Sequence, residues 1–406
     1  MSEIAEKKLR MAAIRKKRHR AETRFRLFGM AAVSVGLIFL AVLFAVVLFS
    51  GLSAFKQTVI HLDIPVEASG DNYQAMVKLS LRNAFQDVTS RRHKRELYAL
   101  VSSGAAYQLK DRVQAAPVLR GTMVSIWVTA SADVDMAIKG ETPRLTDRQL
   151  AWVDDLKTKE RLKTQFNWRF FTGGDSREPE LAGIAVATLG SLFSVFVCLA
   201  LSFPLGVLTA VYLEEFAPRT RWTDFIEVNI NNLAAVPSIV FGLLGLAVFL
   251  NAFGLPRSAP LVGGMVLALM TLPTIIITGR AALKAVPPSI REAALAVGAS
   301  PLQAVFHHVL PLAMPGVLTG TIIGTARALG ETAPLLMIGM VAFVVDLPET
   351  ILSPATALPV QVFLWADSPE RGFEERTIAA ILILLLFTCL MNLTAVLLRK
   401  KYEIRW

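Results

Sequence analysis

Two charged residues lie one helical turn apart inside a long apolar run near the C-terminal end of the sequence. They are Arg327 and Glu331, within the motif Ala326-Arg-Ala-Leu-Gly-Glu-Thr-Ala-Pro334. Counted from Pro315, Arg327 lies about 18 Å along a helix that rises 1.5 Å per residue, near the middle of a bilayer. A charge at that depth costs at least ~2.5 kcal/mol, so it normally faces protein or a water-filled path. Two interpretations stay open: a structural ion pair that fixes helix packing, or an anion site in which Glu331 holds Arg327 when the path is empty.

A polar segment between two apolar runs, residues 287–311, has a pattern that predicts two short capped helices. Ser289–Glu292 has the spacing of a capping box, in which the serine caps the helix start and the glutamate reaches back to it. Ser300–Gln303 repeats that spacing, with a proline at the first helical position. Gly298 lies between the two boxes and is typical of a helix C-terminus. We therefore expect a rigid helix-turn-helix that meets at Gly298.

The first of these short helices has an apolar face formed by residues at helical spacing: Ile290, Ala293, Ala294 and Val297. Pro311 and Pro315 are expected to break the chain before the next apolar run. A well-capped surface loop would explain the caps by themselves. The functional alternative is a stiff element that passes the movement of a partner to the spans on either side.

The other residue types that carry chemistry form no catalytic or metal-binding pattern. Cys198 and Cys389 both fall in apolar runs, which argues against a disulfide framework, a metal cluster or a nucleophile. His307 and His308 form a close pair without a carboxylate pattern around them. The phosphate-binding pattern G-x-x-x-x-G-K-S/T is absent. We expect no catalytic residue, no metal, no cofactor and no ATPase site in this chain.

The composition is that of a membrane protein. Of 406 residues, 54% are apolar and only 18% are charged. A soluble protein would have to bury six unusually long apolar helices in one domain. Because about 20 apolar residues cross a bilayer, we predict an all-α polytopic membrane protein with six transmembrane helices, in residues 27–50, 181–213, 225–250, 261–283, 313–343 and 376–398.

The N-terminal arm, residues 1–26, is strongly basic, and the whole chain has a net charge of +10. Such an arm could bind nucleic acid, but the apolar run behind it favours the positive-inside rule, with the arm in the cytoplasm and no nucleic acid partner. A signal peptide is disfavoured because the run is too long and shows no obvious cleavage site. Counting spans from there places residues 51–180 outside, and both 287–311 and the tail 399–406 in the cytoplasm.

The external segment, residues 51–180, is predicted to be a small folded α/β insert after the first helix. Helical spacing covers residues 72–86, 91–114 and the strongly charged 146–166, and residues 121–130 alternate like a strand. No motif of chemistry appears in this insert. A docking or packing role is therefore the expectation.

Further polar residues interrupt the apolar runs. Arg280 lies near the inner end of the fourth run, where it either snorkels to the interface or lines a path. Polar or helix-disrupting residues in the third run either line the path or hydrogen-bond between helices: Asn231, Asn232, Pro237 and Ser238.

The chain resembles the PstA-type permeases of phosphate-specific ABC importers over about residues 167–400. The motifs that carry the resemblance are Asn167-Trp-Arg-Phe-Phe171, Val211-Tyr-Leu-Glu-Glu-Phe-Ala-Pro218, Asn231-Asn-Leu-Ala-Ala-Val-Pro-Ser-Ile-Val-Phe-Gly242, the segment 287–311, Arg327-Ala-Leu-Gly-Glu-Thr-Ala-Pro334 and Leu358-Pro-Val-Gln361. Within 287–311, the family's EAA loop is matched at Glu292, Ala293, Ala294, Gly298, Leu310 and Pro311.

The resemblance implies an ABC type I importer (MetI-like) permease fold, with a five-helix core in residues 181–398. It implies the import of inorganic phosphate across a bacterial inner membrane. The implied partners are a PstC-type permease, PstB-type ATP-binding subunits and a periplasmic phosphate-binding protein. The EAA loop would couple this chain to the separate ATPase, and Arg327 and Glu331 would affect transport. The other residues expected along the path are Arg280, Asn231, Asn232 and Ser238.

Three departures from the family pattern are visible. The insert, residues 56–160, is extra relative to the family core, Gly279-Arg280-Ala281 replaces a position that is often acidic, and His308 stands where an aliphatic residue is usual. Two alternatives follow. The cargo could be another oxyanion (sulfate, molybdate or phosphonate), or the chain could act mainly as a signalling partner of a phosphate-sensing kinase through the insert.

Overall fold

The computed structural model describes residues 2–142 and 144–402, with the side chains of residues 15, 18–142 and 144–401. Residues 1–52 and 53–406 form two compact units. The first unit is one long helix, α1 (Ser2–Leu52). Its apolar residues between Phe25 and Phe49 are largely exposed, and residues 18–55 are long and apolar enough to cross a membrane. The predicted first span, residues 27–50, is therefore a helix of the required kind.

The second unit begins with the insert, which is built on a small antiparallel sheet. Its strands are β1 (Lys56–Pro65), β2 (Met123–Thr129) and β3 (Leu162–Phe166), in the order β2-β1-β3. Ile60 pairs with Val128 on one side and Leu162 on the other. The helices of the insert are α2 (Tyr73–Ala84), α3 (Arg91–Tyr98), α4 (Gly104–Ala115), α5 (Ala132–Lys139), α6 (Asp147–Thr158) and α7 (Trp168–Thr172).

The sequence patterns in the insert were informative but incomplete. The helix in 72–86 and the strand in 121–130 are confirmed by α2 and β2. The predicted helix 91–114 is two helices, and 146–166 divides into α6 and β3, so the prediction of one long helix there was wrong. The central strand β1 was missed, although its residues from Gln57 to Ile60 are buried without interruption. From Ile60 to Ile64 buried apolar residues alternate with His61 and Asp63, so the alternation typical of a strand was present in the sequence and was not used.

The remaining helices form the core of the second unit. They are α8 (Ala185–Val211), α9 (Arg221–Ala234), α10 (Ser238–Gly245), α11 (Pro260–Lys284), α12 (Pro288–Ala296), α13 (Pro301–Ala304), α14 (Leu310–Gly330), α15 (Ala333–Met337), α16 (Leu358–Ala366) and α17 (Gly372–Tyr402). Three wider π-helical turns adjoin them: Tyr212–Phe216, Leu246–Ala252 and Val305–Val309.

Among the described residues, five helices are long and apolar enough to span a membrane, or six if one bent pair counts as a span. In the second unit the unbroken spans cover residues 185–216, 260–284, 301–330 and 372–401. Three of these agree with the predicted runs 181–213, 261–283 and 376–398.

The third predicted span, 225–250, is not one continuous helix. Residues 221–234 and 238–252 are two helices bent by 101° at a short break. Pro237 ends the first and begins the second, because a proline disfavours the helical conformation in the residue before it. No residue of α9 is buried in this chain, whereas the apolar helix α10, which follows the break, has buried residues.

The fifth predicted span, 313–343, has different ends. The helix already starts at Pro301 and stops at Gly330, and α15 begins after an extended residue, Glu331. Pro311 and Pro315 do not break it. Pro311 follows the wide turn Val305–Val309, whose extra residue can accommodate the proline ring against the preceding turn.

A buried charge cluster joins the insert to the start of α17. Lys139 on α5 lies 2.7 Å from Asp135 and 2.8 Å from Glu375. Arg376, which is only 2% exposed, donates hydrogen bonds to the carbonyl oxygens of Pro179 and Ala54 at 3.1 and 2.9 Å. We call Asp135, Lys139, Glu375 and Arg376 the insert clamp. Because each buried charge in it has a partner, the clamp fixes the insert to α17.

Next to the clamp lies a buried carboxyl that should make stability depend on pH. Burial raises the pKa of Glu180 from its ordinary value of 4.5 to about 7, against hydrogen bonds that include one from Ser102. Since the folded pKa lies above the unfolded one, Glu180 stabilises the fold at low pH, and this contribution is lost as the pH rises through about 7. The loss is at most about 3 kcal/mol.

We therefore predict that Glu180→Gln makes the solubilised protein more stable at pH 8 and flattens the fall in melting temperature between pH 5 and pH 8. Thermal unfolding at both pH values measures this. The matched control is Glu67→Gln at an exposed position of the same insert, which should leave the slope unchanged. An unaltered slope in Glu180→Gln would contradict the prediction.

Candidate functional site

The predicted charged pair is present at the end of α14. The Nε atom of Arg327 lies 3.5 Å from Oε1 of Glu331, and the two side chains are 56% and 20% exposed. Arg327 occupies the last turn of the helix, where a cation is favoured by the helix dipole. Glu331 is the extended residue immediately after the helix. An ion pair this open contributes about 0–1 kcal/mol, so it explains helix packing poorly.

The guanidinium of Arg327 is exposed in this chain, so in the assembled protein it must be covered by a partner subunit or solvated by water. Arg327 lies in the last turn of the apolar helix 301–330, and this helix begins at Pro301, so the position near the middle of the bilayer that was counted from Pro315 was wrong. A cation near the end of a membrane helix avoids lipid by reaching water or a protein partner. Arg327 is therefore expected to face a partner subunit or a water-filled path.

The broken helix comes close to this end of α14. Gly242 on α10 lies so near Pro334 and Met337 of α15 that a Cβ atom at Gly242 would clash with them. Close approach through small residues is a common form of packing between membrane helices. Ser238 begins α10 at the break and is partly exposed. The N-terminus of a discontinuous membrane helix carries a partial positive charge that favours anions.

The structure does not gather all the residues expected along the path. Asn231 and Asn232 are exposed and lie on α9, across the 101° bend from α10. Arg280 on α11 is bound by two carboxylates, 3.4 Å from Glu214 and 2.6 Å from Glu227. Neither of the two interpretations of Arg280 anticipated this pairing.

The segment 287–311 contains the two predicted helix starts, but only the first helix is short, because the second continues from Pro301 to Gly330. Only one of the predicted capping boxes is present. The second box is confirmed: Gln303 N–H donates to Ser300 Oγ at 3.3 Å, and Ser300 N–H donates to Gln303 Oε1 at 2.9 Å. The first box was wrong. The helix α12 starts at Pro288 with Pro287 as its cap, because proline suits the first helical position, and Ser289 is already inside the helix.

Gly298 ends α12 as predicted. Its φ of +90° lies in the left-handed region, where glycine carries no steric penalty. The amide of Ala299 donates to the carbonyl of Ala294 at 3.1 Å, and that of Gly298 to the carbonyl of Leu295 at 3.0 Å. These bonds satisfy carbonyl groups at the helix end, so the turn between the two helices is well ordered.

The predicted apolar face of α12 is divided. Ala294 is buried and Ile290 packs against the core, whereas Ala293 and Val297 are exposed, Val297 by 84%. Glu292 is also exposed. Two further apolar residues on the same segment are open to a partner, Leu295 and Leu302. By contrast, Leu310 and Pro311 are partly buried at the start of α14 and support the helix rather than the surface.

Sequence reasoning missed the ion pairs beneath α12. Arg291 donates to both carboxylate oxygens of Glu215, through Nη2 to Oε1 at 2.5 Å and through Nε to Oε2 at 3.0 Å. This hydrogen bonding raises the pKa of Arg291 further above its ordinary value. The adjacent Glu214 pairs with Arg280. The consecutive glutamates were the available signal, but nothing in the sequence shows which arginines they meet.

Within the residues that the structure describes, no group of three or more histidine, cysteine, aspartate or glutamate side chains could hold a metal ion. Cys198 is buried and Cys389 is exposed, and both are free thiols. The chemistry of the site thus consists of charged groups, helix ends and a protein-facing surface.

Two family comparisons divide the chain. Residues 202–404 match the family described as "Binding-protein-dependent transport system inner membrane component". Residues 12–148 match a family described only as "Domain of unknown function (DUF3333)". The second match contains most of the insert, which the sequence had set apart from the family core.

The curated relatives that match the chain include permease proteins of transport systems. The chain is 32% identical over 234 residues to "Phosphate transport system permease protein PstA 1" of Mycobacterium tuberculosis (strain CDC 1551 / Oshkosh), covering 57% of this chain and 75% of the relative. It is 33% identical over 216 residues to "Phosphate transport system permease protein PstA" of Yersinia pestis, covering 52% of this chain and 71% of the relative.

A solved structure of the inward-facing MetNI methionine ABC transporter is also similar, with 18% identity and a TM-score of 0.42, over 53% of this chain and 92% of that chain.

The family match and the curated relatives agree with the helical architecture. They confirm the predicted polytopic ABC type I permease and place it among multi-pass proteins of the inner membrane. The chain belongs to the family of inner membrane components of binding-protein-dependent transport systems, and within it to the PstA-type permeases.

Proposed function

We propose that this chain is the permease subunit of an ATP-driven importer that moves inorganic phosphate from the periplasm to the cytoplasm. The observation that carries the proposal is Arg327, a half-exposed guanidinium on a membrane-crossing helix of a PstA-type chain. A guanidinium offers planar, paired N–H donors that match phosphate oxygens. Among the residues that the structure describes, its one polar contact is the 3.5 Å approach to Glu331, which leaves most of these donors available to an anion.

Glu331 allows Arg327 to be paired in two ways, with the glutamate or with the anion. When no anion is present, the glutamate balances the charge of Arg327. When phosphate binds, it competes with Glu331 for the same guanidinium. The helix α10 begins at Ser238 and packs on α15 through Gly242, and its N-terminal end would favour an anion that comes within reach. Such a weakly held arginine suits a site that must both load and release its cargo.

The surface of α12 is the proposed contact for a separate ATPase. Glu292, Ala293 and Val297 point away from the core, and the ordered turn at Gly298 joins them to the helix that starts at Pro301. From Pro301 to Arg327 this helix covers about 39 Å at 1.5 Å per residue. A displacement of α12 by the ATPase would therefore be carried by one continuous helix to the charged pair.

The assembly that fits this account contains a PstC-type permease, two PstB-type ATP-binding subunits and a periplasmic phosphate-binding protein. Both termini are proposed to be cytoplasmic, which requires an even number of crossings. Of the five or six candidate spans this selects six, so the bent pair 221–234 and 238–252 counts as one. The insert then lies in the periplasm.

The cargo is tested by uptake of labelled phosphate into vesicles that hold the assembled complex. We predict that excess unlabelled phosphate abolishes the signal, whereas equal concentrations of sulfate, molybdate or phosphonate reduce it by less than twofold. A complex whose labelled uptake is displaced by one of the other oxyanions, and not by phosphate, would refute the choice of cargo.

For the anion site, we predict that Arg327→Gln lowers phosphate uptake at least tenfold while the complex still assembles. The open ion pair contributes little to stability, so the melting temperature should change only slightly. Arg257→Gln, an exposed arginine in the loop between α10 and α11, is the control and should transport normally. Full uptake by Arg327→Gln would leave the pair with a packing role only.

For the ATPase contact, we predict that Glu292→Lys abolishes uptake while the protein still reaches the membrane. The side chain is exposed, so a charge reversal should leave the fold intact and disturb only the partner. Glu349→Lys, exposed in the loop between α15 and α16, is the matched control. Normal uptake with Glu292→Lys would contradict the proposal that α12 contacts the ATPase.

A further inference from the structure

The helix α12 is held on the core mainly by charge rather than by apolar packing. Ala294 is its one buried residue, and Ile290 adds a partial contact. Arg291 supplies the remaining attachment. It binds Glu215 through two nitrogen atoms and also donates to the carbonyl oxygens of Val286 at 2.8 Å and Leu283 at 2.9 Å. One side chain therefore ties α12 to the end of α8 and to the end of α11.

Glu215 is well suited to this role. Its side chain is only 8% exposed, and it lies in the π-helical turn Tyr212–Phe216 that closes α8. A nearly buried carboxylate that lacks its partner would strongly destabilise the folded protein. The arrangement in which Arg291 pairs with Glu215 is therefore favoured. The bidentate arrangement also fixes direction, because the guanidinium plane must align with the carboxylate.

The same π-helical turn continues the connection in a second direction. Its other glutamate, Glu214, lies 3.4 Å from Arg280 on α11, and Arg280 lies 2.6 Å from Glu227 on α9. The helix α9 leads into the 101° break, beyond which α10 packs on α15 beside Glu331. Two separate charged groups, Arg291–Glu215 and Glu214–Arg280–Glu227, thus connect α12, α8, α11 and α9 through the turn that carries both Glu214 and Glu215.

We propose that Arg291 and Glu215 are positioning residues that make α12 move together with α8 and α11, and that Glu214, Arg280 and Glu227 extend this coupling to the broken helix. This proposal rests on the proposed function, in which α12 receives the movement of the ATPase. The pair binds neither cargo nor ATP. Its role is to prevent α12 from moving on its own, so that a cycle of ATP hydrolysis is converted into transport.

The test compares variants in the complete complex, reconstituted in proteoliposomes. Arg291→Lys keeps the charge but cannot bind the carboxylate in a bidentate manner while also reaching both carbonyl oxygens. Glu215→Gln keeps the shape and removes the charge. We expect each to raise the ATP hydrolysed per phosphate imported at least tenfold, with the ATP-binding subunits still copurifying. Arg219→Lys, at an exposed position of the neighbouring loop, should keep the wild-type ratio.

Two further results decide between a positioning role and simple stabilisation. The double variant Glu215→Gln with Arg291→Lys should be no worse than either single variant, because both remove the same contact. Glu227→Gln leaves the Arg291 contact intact and should raise the ratio by a smaller, two- to threefold factor. An unchanged ratio in Arg291→Lys and Glu215→Gln, or losses that simply multiply in the double variant, would overturn the proposal.

A measurement without substrate separates this proposal from the function on which it rests. In the assembled complex, amide hydrogen exchange of residues 288–296 should be at least tenfold faster in Arg291→Lys than in the wild type or Arg219→Lys. If the wild-type complex fails to import phosphate, the proposed function is lost, and the exchange data still decide whether Arg291 holds α12. Equal exchange in all three would show that it does not.

Discussion

A charged side chain on an apolar helix must find a partner, and this constraint organises the second unit of the chain. At the end that carries the insert, Arg376 and Lys139 are bound by carbonyl oxygens and carboxylates. At the end that carries α12, Arg280 and Arg291 are bound by three glutamates. Arg327 lies apart from both groups and has a single, longer contact. The strongly paired charges hold helices in place, and the weakly paired Arg327 is the one that we propose binds the cargo.

The long helices connect these charged groups over the length of the second unit. The helix 301–330 extends from the exposed surface beside α12 to Arg327. Its partner α11 runs alongside and is tied to α12 through Arg291. The insert clamp fixes the extra segment to α17, so the insert adds to a helix of the core instead of hanging from a flexible linker. This attachment explains how a permease can carry a folded insert without loosening its helices.

The sequence predicted the parts of this structure that depend on local pattern. Length and hydropathy located most of the apolar helices, and Gly298 marked a helix end. The spacing of Arg327 and Glu331 predicted their contact, although Glu331 lies just beyond the helix and not on its face. Where two local rules competed, the prediction failed: Pro288 took the helix start that Ser289 was expected to cap, and the helix after Pro301 ran through Pro311. Contacts between distant segments were out of reach, because Glu215 and Arg291 are 76 residues apart. The strand β1 was missed although residues 60–64 alternate, and only its pairing with β2 and β3 depends on segments far along the chain.

The central claim is that Arg327 is open to the cargo. Chemical modification of arginine by a dicarbonyl reagent, quantified by mass spectrometry in the assembled complex, tests it directly. The account predicts that Arg327 reacts in the absence of cargo, that phosphate slows its modification at least fivefold, and that the exposed Arg257 reacts at the same rate throughout. Modification of Arg327 at one rate with and without phosphate, in a complex that imports phosphate, would contradict the account.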